Sequence, residues 1–229
     1  GVTLTIDIST LENTLTPHGL IVRGGFHSVA EDGVPGDPAT LVLVGNAGSG
    51  MWRAFEAARS AGRYGDSANP LDDWVRDVLG VAAAEIGATP LFPFGGPPHL
   101  PFQRWAQRAE AVYPSPLGVL IHPEYGLWHA YRGALAFAER IDLPLRDVRL
   151  CPCDTCADKP CLSACPVDAF GQDGYDVPVC VGHISRPEGA DCMDRGCRAR
   201  RACPVGRDFI YEPANAAFHM TAFRRAQVK

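Results

Sequence analysis

Nine cysteines constrain this chain more than any other feature, because all of them lie between Cys151 and Cys203. The preceding 150 residues contain none. Thiols at this density bind metals, form disulfides or pack as small apolar side chains. An odd number of cysteines in a chain of ordinary length argues against a disulfide framework. Buried inert cysteines do not cluster in this way, so metal binding is the favoured interpretation.

The cysteines form two runs, and each run ends in a Cys-Pro step. The first run reads Cys153-x2-Cys156-x4-Cys161-x3-Cys165-Pro166. The second comprises Cys180, Cys192, Cys197 and Cys203-Pro204. In proteins with two [4Fe–4S] clusters, the cysteine before proline in one run binds the cluster of the other run.

This crossing rule predicts two ligand sets and leaves Cys151 over. The predicted ligands of the first cluster are Cys153, Cys156, Cys161 and Cys203. Those of the second cluster are Cys165, Cys180, Cys192 and Cys197.

Both runs depart from the usual C-x2-C-x2-C-x3-C-P pattern. In the first, four residues separate Cys156 from Cys161, two more than in the usual pattern, and Lys159 and Pro160 are among them. In the second, no cysteine lies between Cys197 and Cys203, so Cys192 has to serve from upstream. A zinc site prefers two C-x2-C pairs, and only one is present. A single cluster with four unused thiols remains an alternative, and His183 is a further candidate ligand.

Composition and charge exclude some partners. The chain has a net charge of −5 and no basic stripe of the kind that binds nucleic acid, so no nucleic-acid partner is expected. No apolar run approaches the roughly 18 residues of a membrane span, so no membrane partner and a cytoplasmic location are expected. Four arginines between the ligands either raise a cluster potential or receive an acidic redox partner, or they form a solvated turn balancing acidic neighbours. They are Arg195, Arg198, Arg200 and Arg201.

The pattern upstream of the cysteines predicts an α+β fold with a mixed sheet. Apolar runs at 41–44, 118–121 and 128–137 indicate strands, the last two joined as a hairpin. Helices are predicted near 52–60, 70–86 and 102–109, and another over 213–225. We therefore expect two domains, 1–149 and 150–229.

A glycine-rich turn at 45–50 follows a predicted strand and precedes a helix. Its glycines, Gly45, Gly48 and Gly50, have the order G-x-x-G-x-G rather than the G-x-G-x-x-G of dinucleotide-binding proteins. The sequence therefore favours a turn whose backbone approaches some other ligand.

Three segments resemble the CblC-type cobalamin-processing proteins. They are 11–22 (LENTLTPHGLIV), 39–55 and, most specifically, 118–133 (GVLIHPEYGLWHAYRG). The cysteine region is similar to that of epoxyqueuosine reductases and reductive dehalogenases, which join a CblC-like domain to a two-cluster ferredoxin. The resemblance implies a CblC/nitroreductase-like sheet with helices, followed by a small ferredoxin-like dicluster module. It also implies cobalamin as a cofactor, with His122 near its displaced nucleotide tail and Gly45, Gly48 and Gly50 lining the ring.

Three hypotheses of function follow. The first is an iron–sulfur redox protein in which two [4Fe–4S] clusters pass electrons to the CblC-like domain, for corrinoid reduction or processing by an oxidoreductase. The second is a ferredoxin-type electron carrier without its own catalytic site, whose N-terminal domain is a docking surface. Both require a redox partner protein, and neither assigns a catalytic residue. The third is an assembly partner that holds clusters structurally.

Overall fold

The computed structural model describes residues 6–228, which group into two compact units. The first unit comprises the described residues up to Ala111 together with Ala130–Val148. The second comprises Val112–His129 and the described residues from Arg149 onward. The segment 112–129 thus groups with the cysteine region, although it precedes residue 149. Whether 1–149 and 150–229 are separate domains stays a prediction.

The first unit contains four helices and a four-stranded sheet. Its helices are α1 (Ile8–Leu15), α2 (Gly50–Ser60), α3 (Pro70–Ile86) and α4 (Phe102–Ala109). Its strands are β1 (Ile21–His27), β2 (Thr40–Ala47), β3 (Thr89–Leu91) and most of β6 (His129–Phe137). The fully apolar run of β2 is buried along nearly its whole length, as its sequence predicts.

The sheet has the order β1-β2-β6-β3 and is antiparallel rather than mixed. Ile21 pairs with Gly45 in β1 and β2, and Thr89 pairs with Ala136 in β3 and β6. The Ala39 N–H donates to the Phe137 carbonyl at 2.9 Å, while Gly45 lies against Ala130, so β2 and β6 also run in opposite directions. The prediction of a mixed sheet was wrong, since each neighbouring pair of strands runs in opposite directions.

The second unit is built from short elements around the cysteines. Its strands are β4 (Tyr113–Pro114), β5 (Leu120–Ile121), β7 (Phe170–Gly171) and β8 (Gly174–Tyr175). Its helices are α5 (Pro160–Ser163), α6 (Val177–Ile184), α7 (Ala190–Arg195), α8 (Arg198–Arg201) and α9 (Pro213–Gln227). Helix α9 confirms the helix expected over 213–225.

The segment 112–129 supplies apolar side chains to the core of the second unit. Leu117, Ile121 and Leu127 pack in one buried cluster with Cys161 and Cys203. The prediction of a hairpin formed by 118–121 and 128–137 was wrong. Strand β5 pairs with β4, and β6 joins the four-stranded sheet. The turn between them is closed instead by two reciprocal hydrogen bonds between the backbones of His122 and Gly126, both 2.9 Å.

No helix within residues 6–228 is both long and apolar enough to cross a membrane.

Candidate metal centres

Four cysteines line a compact cavity of about 20 Å³ in the second unit. Cys153 and Cys156 lie on a loop with one 3-10 turn, Cys161 lies on α5, and Cys203 follows α8. These are the cysteines that the crossing rule assigns to the first cluster: Cys153, Cys156, Cys161 and Cys203. The remaining lining residues are Pro116, Ile121, Pro152, Lys159, Pro160, Pro204 and Val205.

The other four predicted ligands line a larger cavity of about 290 Å³. Cys180 lies on α6, Cys192 on α7, and Cys197 at the start of α8. Cys165 comes from the end of the first run and completes the set. Most of the other lining side chains are apolar, among them Phe170, Ile184, Met220 and Phe223. His183 also lines this cavity.

The pKa directions of the thiols follow the same division. Burial, the neighbouring Cys151, Cys203 and Cys161 thiols, and a hydrogen bond with Cys151 raise the pKa of Cys153 to about 12. Burial and the thiols of Cys192 and Cys180 raise the pKa of Cys197. Crowded thiolates repel one another, and a metal group offsets that repulsion because coordination deprotonates thiols outright. The thiols therefore fit a cationic metal group in each cavity.

A mononuclear site would require ligands that converge on one point. Within the described part of the chain, no three His, Cys, Asp or Glu side chains form such a group. All nine cysteines are free of disulfides. Four cysteines line each of the two cavities.

Several hydrogen-bond donors reach the sulfur atoms of the second set. The Ala169 N–H donates to Cys165 Sγ at 3.4 Å. The Tyr175 phenol is hydrogen-bonded to Cys180, and the backbone at Ala199 and Arg200 is bonded to Cys197. Such bonds to ligand sulfur are a general feature of iron–sulfur sites and tune their potentials.

One carboxylate connects the two helices that carry Cys192 and Cys197. Asp191 on α7 forms ion pairs with Arg195 at 3.5 Å and with Arg198 at 3.0 Å. It forms a third ion pair with Arg201. The hydrogen bonds from Arg201 and Arg198 hold the pKa of Asp191 below its ordinary value. This arrangement agrees with the interpretation in which the arginines balance acidic neighbours, although Arg195 is 64% exposed.

Arg200 has a different environment from the other three arginines. Its guanidinium donates to the Leu127 carbonyl from Nε at 2.9 Å and from Nη2 at 2.5 Å. It also lies over the rings of Trp128, at 4.4 Å, and Tyr211, at 4.9 Å. Arg200 therefore fixes α8 to the segment 112–129 within the second unit, a role that no sequence pattern signalled.

The glycines proposed to line a corrinoid lie in the first unit, and each has a structural environment of its own. A Cβ atom on Gly45 would lie 2.0 Å from the Ala130 carbonyl oxygen, so only glycine permits this strand contact. Gly48 has φ +61°, which favours glycine at the turn. Gly50 begins α2, where the sequence predicts the strand-to-helix transition.

His122 lies in the second unit and is 4% exposed. Its Nδ1 accepts hydrogen bonds from the backbone N–H groups of Glu124, at 3.0 Å, and Tyr125, at 3.2 Å. The imidazole also stacks on Tyr125 with ring centres 4.2 Å apart. These contacts organise the turn itself.

Polar side chains surround the glycine turn of the first unit. Arg132 Nε donates to Asn46 Oδ1 at 2.9 Å, and Asn46 Nδ2 donates to the Gly48 carbonyl at 3.3 Å. Burial raises the pKa of Asp72, against the effect of Arg132 and Arg76. This group could not be predicted from the sequence because its members are far apart in the chain.

Lys159 and Tyr175 are two further residues that the sequence analysis did not assign to the sites. Lys159 lines the first cavity, and Tyr175 lines the second. In the sequence, only their positions near the cysteines could have pointed to them. Lys159 lies in the two-residue extension of the first run, and Tyr175 precedes Cys180 by five residues.

The protein has an α+β fold, and four cysteines line each of two cavities in its second unit. No known protein family matches the chain, and no curated protein matches it. Among solved structures, epoxyqueuosine reductase from Streptococcus thermophilus is similar in fold, with a TM-score of 0.52 and 14% identity over 91% of this chain and 69% of that chain.

Two further structures of epoxyqueuosine reductase match with 14% identity over 92% of this chain and 71% of theirs. One is bound to an epoxyqueuosine-modified tRNA-Tyr stem loop and has a TM-score of 0.49; the other, from Bacillus subtilis, has a TM-score of 0.47. The Streptococcus thermophilus match supports a shared fold, and a shared fold does not fix a shared ligand.

Proposed function

We propose that this protein is an iron–sulfur oxidoreductase that binds two [4Fe–4S] clusters. The first cluster has the ligands Cys153, Cys156, Cys161 and Cys203. The second has the ligands Cys165, Cys180, Cys192 and Cys197. When bound, the clusters supply one-electron transfer at low potential.

The observation that carries this proposal is the crossing of Cys165 and Cys203 between the two cavities. Each lines the cavity of the other run rather than that of its own. The alternative of one cluster and four unused thiols does not explain why the other four cysteines line a second cavity together. Hydrogen bonds to sulfur and the mutual repulsion of the thiols support a cationic metal group in both places.

Metal content after anaerobic purification tests the cluster count. We expect about eight iron and about eight sulfide per chain, with a visible absorption band that bleaches on reduction. Cys161→Ser and Cys192→Ser should each leave about four iron, while the matched control Cys151→Ser should keep about eight. About four iron in the wild-type protein would remove the second cluster, and one zinc ion would overturn the proposal.

We further propose that electrons come from a separate redox partner protein and reach an acceptor in the domain 1–149. We propose a corrinoid as this acceptor, and the resemblance to CblC-type proteins is its only support. Gly45, Gly48 and His122 have contacts that account for them without a ligand, so no reaction step is derived through a corrinoid.

Binding of hydroxocobalamin tests this acceptor. A corrinoid site predicts a spectral shift and a corrinoid that stays with the protein through gel filtration. The Cys161→Ser variant is the matched control, since it removes a cluster ligand and leaves the first unit unchanged. If neither shift nor retention occurs in the protein with both clusters, the function reduces to that of an electron carrier.

A further inference from the structure

Lys159 is the one lysine in the chain apart from the terminal Lys229, although the chain has 21 Lys and Arg residues in total. It lies in the extension that makes the first cysteine run longer than the usual pattern, directly before Pro160. An arginine-rich chain that places its one internal lysine between cluster ligands suggests a specific requirement for an ammonium group.

The side chain of Lys159 points back over the loop that carries the first two ligands. Its Nζ donates to the carbonyl of Cys153 at 3.3 Å and to that of Cys156 at 3.2 Å. An ammonium is a compact donor with three N–H groups, so it binds two converging carbonyls where the planar guanidinium of arginine fits less well. The loop is therefore closed by a side chain from its own extension.

The backbone of Lys159 is in an unusual conformation. Its φ is +38° and its ψ is +62°, a left-handed region that non-glycine residues seldom adopt. A residue before proline also normally avoids helical conformations. Such a conformation persists where surrounding contacts hold it, and these positions are enriched at functional sites.

The charge of Lys159 lies beside the first set of thiols. Among the residues that line this cavity, Lys159 carries the one cationic side chain. Arg207 also lies near the set: burial and the Cys156 thiol raise the pKa of Cys203, and the Arg207 charge opposes that rise, but Arg207 is exposed and does not line the cavity. A half-buried cation is screened less by solvent than an exposed one.

We propose that Lys159 is a positioning residue for the first [4Fe–4S] cluster, holding the Cys153–Cys156 loop through two carbonyls and raising the reduction potential of the cluster through its charge. The inference rests on the proposed function, because it requires a cluster in the first cavity. Reduction adds one negative charge to a group that already carries four thiolates. A neighbouring ammonium stabilises the reduced state more than the oxidised state, and the potential rises.

The test compares Lys159→Met with Lys159→Arg in the anaerobically purified full chain, using potentiometric titration followed by electron paramagnetic resonance. Lys159→Met removes both the charge and the two donors. We expect one of the two potentials to become more negative, the other to stay unchanged, and a chelator to remove about half of the iron several-fold faster. Lys159→Arg keeps the charge and should retain the wild-type potential while losing iron at an intermediate rate.

Arg207→Gln is the matched control, because it removes an exposed cation near the same thiols without touching the loop. It should shift the potential less than Lys159→Met does and leave the rate of iron loss unchanged. If Lys159→Met lost its iron during purification, the potentials of Lys159→Gln would test the charge effect instead, since the glutamine amide is uncharged but can still donate hydrogen bonds.

Unchanged potentials in Lys159→Met or Lys159→Gln, with about eight iron bound, would overturn this inference and leave the proposed function standing. Equal shifts in Lys159→Met and Arg207→Gln would also overturn it, because a general surface charge effect would then suffice. Wild-type protein without iron would overturn the proposed function itself.

Discussion

Tyr175 shows how a single side chain can act on one thiol of the second set. Its phenol is hydrogen-bonded to Cys180, and burial together with this bond raises the pKa of Tyr175. Its ring stacks on Phe170 with centres 4.6 Å apart, which orients the hydroxyl. A hydroxyl that donates to a ligand sulfur reduces the electron density on that sulfur and raises the potential of its cluster.

We predict that Tyr175→Phe lowers the potential of the second cluster and leaves its iron in place. Phenylalanine keeps the stacking on Phe170 and removes the donor alone. The measurement is the same redox titration, with Tyr211→Phe as the matched control, since Tyr211 packs against Trp128. If Tyr175→Phe shifted the potential of the same cluster that Lys159→Met shifts, Tyr175 would act on the first cluster, and this prediction would be wrong.

Helices α7 and α8 show how the irregular second run still brings its cysteines together. No local pattern joins Cys192 to Cys197, but Asp191 binds an arginine of α7 and two arginines of α8. Arg201 Nε also donates to the Gly196 carbonyl between the helices, at 3.0 Å. The carboxylate therefore fixes the turn that separates the two ligands.

We predict that Asp191→Asn weakens iron binding at the second centre without abolishing it. The amide keeps the size of the side chain, while three arginines lose their shared counter-charge. Exposed ion pairs contribute little, so the expected loss is about 1 kcal/mol, equivalent to about fivefold faster release of half the iron to a chelator. Asp194→Asn, on the exposed face of the same helix, should release iron at the wild-type rate; an equal effect of both variants would contradict the role given to Asp191.

Elements with a strong periodic pattern could be predicted from the sequence, and elements defined by distant partners could not. Helix α4 spans 102–109, as its apolar spacing indicates, and α3 begins at Pro70 and ends before Gly87, whose φ is +74°. Strand β3 was missed because Thr89–Leu91 is three residues long and contains a proline, which an edge strand tolerates. Its identity as a strand depends on pairing with β6.

For the candidate site, the spacing of the cysteines predicts how they are divided into two sets, and it predicts nothing more. Cys165 and Cys203, which each precede a proline, line opposite cavities, while their roles as ligands stay a prediction. The residues that support the ligands were not predictable, because Arg200 meets Leu127 and Trp128 across more than seventy residues. Such contacts arise only after the chain has folded, and no periodicity records them.

At the scale of the whole molecule, the two units differ in what holds them together. The first unit has a conventional core, in which the Leu41, Val42, Leu43 and Val44 side chains of β2 are fully buried. In the second unit, the buried set includes the thiols themselves, with Cys161, Cys192 and Cys203 all 9% exposed or less. We therefore expect the proposed metal binding and the folding of the second unit to be coupled, as in other small metal-binding domains.

We predict that removing iron destabilises the second unit and leaves the first unit folded. Without metal, crowded thiols lose their cationic partner, and elements of only four residues, such as α5 and α8, are too short to be stable as isolated helices. Hydrogen exchange followed by mass spectrometry should show loss of protection over Arg149–Arg201 in the iron-free protein and retained protection over Thr40–Ala47. The Cys151→Ser variant with its iron intact should keep both regions protected. Uniform loss of protection would contradict this division, because it would mean that the β2 core also depends on the metal; unchanged protection in both regions would show that the thiol cavities are stable without it.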